Sequence, residues 1–560
     1  MNKYIKYFFL SLILAGISYF FIIRIHKSNK KDKSEITNFL TFSHKQGFYR
    51  KPFELTISSI SPTDTVYYTL DGSVPTKNSF IYKFSVKIDY RYNDPNIISN
   101  IPTTPDNYTG IQKWHPPLGK IFKATIVRAA SVRNKNLSSK VYTLIFFVDT
   151  NIYSRYSMPI VSLITDADNF FSYDKGIYVT CKYYDKTNPN YTGNYSQRGS
   201  NWERPVNIAF LKKNGAVTFS QDAGIRIHGT SSRKHTQKRL RLYARKKYGN
   251  QYFNYKIFPQ KNKNKFKRLI LANFPTFKDV LIYSIIKDLN IDMPDYRPVI
   301  VFINGEYWGI HVIRDQLDKY YLASKYNIDK NNIVILGGNS LIKQETDKQY
   351  NNLIKFVENN NLKIPKNYQY VKNQIDIDCY IDHQIVRIYT NYYGTHNNKL
   401  WRPKTQNGKW RWFLYDMDKV FSNSNNNLLK QLVSEKDIDP AILLFRNLLK
   451  NKEFKNQFID RFIFLMNTTF QKDTVLNKIN ELEKLYEPEI KEHFDRWYNN
   501  IDAKEFIGLS KTNIDTVNSV DDILFYYISQ LKDFAGKRPY YMKKFIMEEF
   551  NLNKFDYNNK

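Results

Sequence analysis

The residues able to do chemistry fall in three short stretches. In the first, Gly224-Ile-Arg-Ile-His-Gly-Thr-Ser-Ser-Arg233 reads as a strand running into a small polar turn, and Lys238-Arg-Leu-Arg-Leu-Tyr-Ala244 as a strand leading away. Backbone N–H groups and hydroxyls of Gly229, Thr230, Ser231 and Ser232 could cradle a phosphate. Period two places Lys238 on one face with Leu240 and Leu242, and Arg239 and Arg241 on the other. A lysine on an apolar face calls for a bound anion or an internal carboxylate. The plain alternative is a strand-end lysine that reaches water.

In the second stretch, Pro298 to Ile313 is two apolar strands around Asn304-Gly305, a strong hairpin signal. The exit strand delivers Arg314 and Asp315 to a helical stretch, QLDKYYLASKYN. Asp315 either supports that helix start or partners Lys238. In the third, Ile377, Tyr380, Ile381, Ile385 and Ile388 recur at helical spacing, which predicts an amphipathic helix ending near Asn391. NNKLWRP, an Asn407-Gly408 turn and KWRWFLYDMDKVF follow. With Gln406 facing Lys409 across a two-residue turn, Asn397 would lie opposite Asp418, and Lys399 opposite Asp416. One amide and two carboxylates would then meet at the open end of a hairpin. Hard oxygen donors of that kind suit Mg²⁺ with nucleotide phosphates, and a solvated Asp-x-Asp turn is the plain alternative.

These stretches need a framework, and the 560-residue chain has room for several domains. Its 42% apolar and 16% aromatic content excludes wholesale disorder. A net charge of +33 would suit a polyanion, but the excess is diffuse. Lys, Asn, Ile and Tyr are abundant together, as AT-rich coding produces, so no specific nucleic-acid partner is expected. Cys181 and Cys379 lack metal-site spacing; neither a disulfide framework nor structural zinc is supported, and a single bridge stays open.

Tyr7 to Ile23 is nearly continuously apolar, with Lys3 and Lys6 before it and Arg24, Lys27, Lys30 and Lys31 after it. No small-x-small cleavage site follows, so the expectation is an uncleaved membrane anchor within residues 1–25, with a signal peptide as the alternative, then a linker over 26–47. The heavier basic flank after the segment would hold the body in the cytoplasm, but long translocated domains escape that rule, so the expectation is a membrane-anchored extracytoplasmic or cell-surface body, with a cytoplasmic one left open. Residues 48–149 show short alternating strands and an Asp71-Gly72 turn, the pattern of a β-sandwich. Residues 155–550 are strand-rich first and helical later, an α+β domain.

The phrase YYTLDGSVPT with a later ATIVRAASV strand resembles the chitobiase carboxy-terminal-like module, an immunoglobulin-like accessory domain found beside carbohydrate-active and surface proteins. Trp114 and Tyr92 are the candidates for a face that would bind surface polysaccharide. The stretches MPIVSLITDADNFF, YSQRGSNWERP, GIRIHGTSSR, VFINGEYWGIHVIRD, HNNKLWRP, WRWFLYDMDKVF and LLFRNLLKNKEFKNQFIDRF together resemble the CotH kinase family of atypical protein kinases. That resemblance implies a reduced protein-kinase-like fold that moves the γ-phosphoryl group of ATP to a protein hydroxyl with Mg²⁺. It implies nucleotide binding by Arg226, Gly229, Ser231, Ser232 and Lys238. Asp315 would stand in for the usual Glu as the ion-pair partner of Lys238, Asp416 would be catalytic, and Asn397, Asp416 and Asp418 would hold the metal. Kinase loops carry the base five positions before the metal-binding Asn, and Tyr392 stands there. A phenol is protonated at neutral pH, so a nucleotide-binding pseudokinase scaffold is the alternative, with a non-enzymatic surface protein behind it.

Overall fold

The structure, a computed structural model, describes residues 39–108, 113–133, 136–137, 139–189, 191–274, 277–337, 348–393, 399–434, 439–498 and 519–555. The expected anchor lies outside them. Among the described residues no helix is long and apolar enough to cross a membrane. Cys181 and Cys379 are free thiols, so the bridge left open by the sequence does not form.

A β-rich unit comes first. Gly47–Tyr49, Thr65–Thr69, Phe80–Ile81, Asn136–Leu137, Thr125–Arg133 and Tyr142–Val148 form one sheet, and Phe53–Leu55 pairs with Val86–Ile88. Its core gathers Leu55, Ile57, Val66, Ile88, Val127 and Phe146. Strand Leu40–Phe42 pairs with Ile57–Ser59, so folded structure begins inside the stretch expected to be linker.

Seven strands then close a barrel: β1 Ile160–Ile164, β2 Arg204–Leu211, β3 Val217–Ile227, β4 Leu240–Tyr243, β5 Arg268–Asn273, β6 Tyr296–Ile303 and β7 Glu306–Asp315. Their order is β1-β2-β3-β4-β5-β7-β6, and β6 meets β1 in parallel. Leu240, Leu242, Leu269, Leu271 and Ile313 are fully buried at alternate positions, as a filled barrel requires. Helix α1, Phe277–Ile285, follows β5, and α2, Lys319–Tyr326, follows β7 with Asp318 capping its first N–H groups.

The β6–β7 hairpin turns at Asn304-Gly305 as the sequence predicts, with φ of 45° and 81° and Ile303 opposite Glu306. This turn is also the joint between the two units. Gly305 O accepts from Ala124 N at 2.8 Å, and a Cβ on Gly305 would lie 2.4 Å from Ala124 O. The Glu306 carboxylate accepts the Ile97 and Ser99 N–H groups at 2.7 and 2.8 Å. On the far side, Gly309 lets α9, Lys472–Trp497, approach β7, since a Cβ there would meet His493 Nδ1 at 2.5 Å.

A small sheet of β8 Ile333–Gly337, β9 Lys399–Pro403 and β10 Arg411–Phe413 leans on the barrel. Buried Asp292 ties them together, accepting from Lys325 (2.5 Å), Tyr326 (2.7 Å), Trp401 Nε1 (2.7 Å) and Arg411 Nε (3.2 Å). Helices α3 Lys348–Asn359, α4 Pro365–Gln374, α5 Ile377–Thr390, α6 Leu428–Ser434, α7 Pro440–Leu449, α8 Lys452–Asn467 and α10 Val520–Phe550 complete the α+β domain with α9. As expected, α5 stops at Asn391, whose left-handed φ of 58° ends the helix.

Candidate functional site

A cleft of about 510 Å³ opens where β5, β7 and Arg239, just before β4, meet the small sheet. Strand parity decides what lines it. Ile270 and Ala272 of β5, with Leu317 and Ile335, give it apolar walls, and Arg239, Arg314 and Lys399 bring three cations. Asp416 lines the same space, with its Oδ1 3.7 Å from Arg239 Nη1 and its side chain 37% exposed. Asp416 takes φ 60°, a left-handed conformation that costs a non-glycine residue about 1 kcal/mol or more.

A residue the motifs did not mark out holds this arrangement. Asp279 on α1 is fully buried; its Oδ2 accepts from Arg314 Nη2 at 2.9 Å and its Oδ1 from Met417 N at 2.6 Å. One carboxylate therefore holds both the cleft arginine and the chain just after Asp416. Among the described residues, Arg314 Nε and Gln316 Oε1 are buried at the cleft without a hydrogen-bond partner, as groups waiting for a polar ligand would be. Burial, helped by Arg241 and opposed by Asp318, pushes the Lys399 pKa down to about 8.

Lys238 is elsewhere. It faces inward with Leu240 and Leu242, as its parity requires, is fully buried, and donates from Nζ to Arg233 O and His235 O at 2.9 Å each. Tyr195 lies under the ammonium at 4.0 Å. Burial, and then the Arg233 charge, pushes its pKa well below the ordinary lysine value. The expected pair with Asp315 does not form, because strand register separates them. Continuing the β4–β5 register puts Lys238 level with Asn273 and His311, whereas Asp315 is level with Leu269. Four residues of strand is roughly 13 Å. Asp315 instead accepts from Lys263 Nζ at 2.5 Å, and burial pushes it up to about 7 against that pull.

The polar turn is held by its own residues. Arg233 donates to the carbonyls of Gly229, Tyr195, Gln197 and Ile227, and Ser232 is buried while Ser231 is exposed. Of this stretch His228, not Gly229, Ser231 or Ser232, lines the cleft. Arg226 is bound to buried Glu203 at 3.0 Å, a carboxylate it shares with Arg245.

The β9–β10 hairpin has a different register from the one a two-residue turn imposes. Lys399 faces Phe413, and Trp401 faces Arg411. Trp410 has left the ladder: its N–H bonds Gln374 O at 2.8 Å and its carbonyl accepts Asp376 N at 2.9 Å. Asn397 lies outside the described residues. Asp418 is exposed as a residue and is not among those lining the cleft, although burial of its carboxyl, then Asp416 and Asp279, raise its pKa. Among the described residues no cluster of three or more His, Cys, Asp or Glu side chains could hold a metal alone. Tyr392 is buried, with its N–H on Arg387 O at 2.9 Å. Of the residues considered for polysaccharide, Tyr92 is 43% exposed and stacked on Tyr90, and Trp114 is half-buried.

Compared with known proteins, residues 55–146 match the family described as Fn3 associated, over the unit the sequence likened to a chitobiase module. No curated protein matches. Among solved structures the chain is similar to one titled "Crystal structure of the golgi casein kinase", 8% identical over 62% of this chain and 72% of that one. The TM-score is 0.23, a likeness too weak to say anything of the fold. Residues 225–542, more than half the chain, match the family described as CotH kinase protein. The chain belongs to the CotH kinase protein family.

Proposed function

We propose that the cleft binds a magnesium nucleotide and that the protein transfers the ATP γ-phosphoryl group to a protein hydroxyl. The observation that carries this reading is the convergence of Arg239, Arg314 and Lys399 with Asp416 beside an apolar wall, inside a family of kinases. Phosphoryl transfer asks a protein mainly to position phosphates and neutralise charge, and these groups suit that work. Ile270, Ala272, Leu317 and Ile335 would take the base and Gln316 its polar edge. Mg²⁺ usually rests on one or two carboxylates plus phosphate oxygens, which Asp416 fits. Bound there, Mg²⁺ would offset phosphate charge. In place of Lys238, the cation on the phosphates is Arg239, and in place of Asp315 the buried carboxylate partner is Asp279, bound to Arg314.

Tyr392 favours a second reading, nucleotide binding without transfer, because no acid stands at the expected base position. Incubating the protein with γ-labelled ATP, Mg²⁺ and a mixed protein acceptor separates the two. The transferase reading expects label on protein from wild type and none from Asp416→Ala. Equal label from both would contradict it, and no label with nucleotide still bound would leave the scaffold reading.

A further inference from the structure

Beside the cleft runs a second depression of about 530 Å³, and Asp315 lines both. One wall comes from the chain between Lys263 and Arg268, the other from α2 and the turn at Asp329 and Lys330. Five cations point around it: Lys263, Lys265, Lys267, Arg268 and Lys330. Its three carboxylates are already used inside the protein. Asp315 accepts from Lys263 at 2.5 Å, Asp318 from Arg268 at 2.6 Å and from Tyr320 N at 2.8 Å, and Asp329 from Asn331 N at 2.7 Å. Among the described residues no carboxylate comes within 4.0 Å of Lys265, Lys267 or Lys330. Burial, then the Arg245 and Arg268 charges, hold the Lys267 pKa below its ordinary value, so an arriving anion would relieve repulsion there. A smaller hollow of about 330 Å³ shares Lys263 and Lys265 and adds Lys261 and Lys325.

The chain's basic excess is diffuse, but here it converges on a concave space that shares a wall with the nucleotide cleft. We propose that this groove docks an Asp/Glu-rich segment of the protein acceptor and presents its hydroxyl past Asp315 to the cleft. The three carboxylates set among the lysines suit separate acidic side chains better than an unbroken phosphodiester backbone, which they would repel at intervals. The proposal rests on the phosphotransferase reading and names the class of acceptor for it.

The test uses the full chain and a labelled Ser-containing peptide rich in Asp and Glu, read by fluorescence anisotropy. The same peptide with Asn and Gln, and a single-stranded oligonucleotide, serve as competitors. The variant is Lys265→Glu with Lys330→Glu; neither residue lines the nucleotide cleft. The groove predicts tight binding of the acidic peptide alone, weakening with salt, and a loss of about tenfold or more in the variant. MgATP stabilisation of the variant should match wild type. Equal binding of acidic and amide peptides, an unaffected variant, or better competition by the oligonucleotide would overturn it. Absence of MgATP stabilisation in wild type with peptide selectivity intact would uphold the groove and overturn only the phosphotransferase reading.

Discussion

In the proposed nucleotide site a cation on phosphate has to face the cleft, and along the strand entering β4 the residue that does so is Arg239. Lys238, its neighbour, points the other way and donates to two carbonyls of the turn before β4. Replacing it, as Lys238→Met, should cost about 1–3 kcal/mol of stability, since Arg233 O and His235 O lose their donors, while nucleotide affinity stays. Thermal melts with and without nucleotide read both quantities. Lys399, held down to about 8, gives a second expectation at this scale. Below that pH it is charged and attracts phosphate; above it the charge is lost. Nucleotide affinity should therefore fall as pH rises through 8, by up to about tenfold per unit until the bound-state pKa is reached, and a Lys399→Arg variant should flatten the profile. The face of Lys238 was legible because strand alternation is strict. Its distance from Asp315 was not, since parity gives the side of a sheet and says nothing of height along it.

At the scale of elements, α1 matters most because Asp279 joins it to β7 and to the Asp416 segment. Asp279→Asn leaves the buried Arg314 guanidinium without its counter-charge and should cost about 3–5 kcal/mol. It should also weaken nucleotide stabilisation, because Arg314 is no longer held at the cleft, while the amide oxygen can still accept from Met417 N. A variant with normal stability and normal nucleotide binding would contradict that role. Asp279 carried little signal in the sequence: one acid in an apolar helix reads as a helix-start carboxylate. The Asn304-Gly305 hairpin and the end of α5 were legible because local chemistry fixes both. The β9–β10 turn was not. A long-range partner, the Gln374–Asp376 segment, draws Trp410 out of the ladder and overrides the Asn407-Gly408 preference. The expected Asp418 position failed with that register.

Across the whole molecule, the barrel, most helices and one side of the small sheet share a core that also receives Phe48, Phe122 and Phe147 of the β-rich unit, while α2 packs on the small sheet in a cluster of its own. That unit is thus packed against the barrel, and the sequence showed its strands without showing the joint at Gly305 and Glu306. The core also encloses neutral histidines. Burial pushes His311 down to about 4 and His383 down to about 3, and His493, beside His311 and Arg496, well below the usual value. Their unfolded pKa is about 6.5, so between that pH and about 4 the unfolded chain binds more protons and stability falls as pH falls. Each histidine should contribute about 1.4 kcal/mol per pH unit in that window. Melts from pH 7 to pH 4 should show a steep decline, and a flat profile would contradict the burial of these rings.

The proposed magnesium-nucleotide site comprises Arg239, Arg314, Lys399 and Asp416 and excludes Lys238. Its sharpest test is the melting transition of wild type, Asp416→Ala, Arg239→Ala and Lys238→Met, each with and without ATP and Mg²⁺. A ligand that binds only the native state at about 100 times its Kd stabilises by about 2.7 kcal/mol. The proposed site predicts a Mg²⁺-dependent gain of that order in wild type and in Lys238→Met, and its loss in Asp416→Ala and Arg239→Ala. Loss in Lys238→Met with retention in Arg239→Ala, or no gain in wild type at any Mg²⁺ concentration, would contradict it.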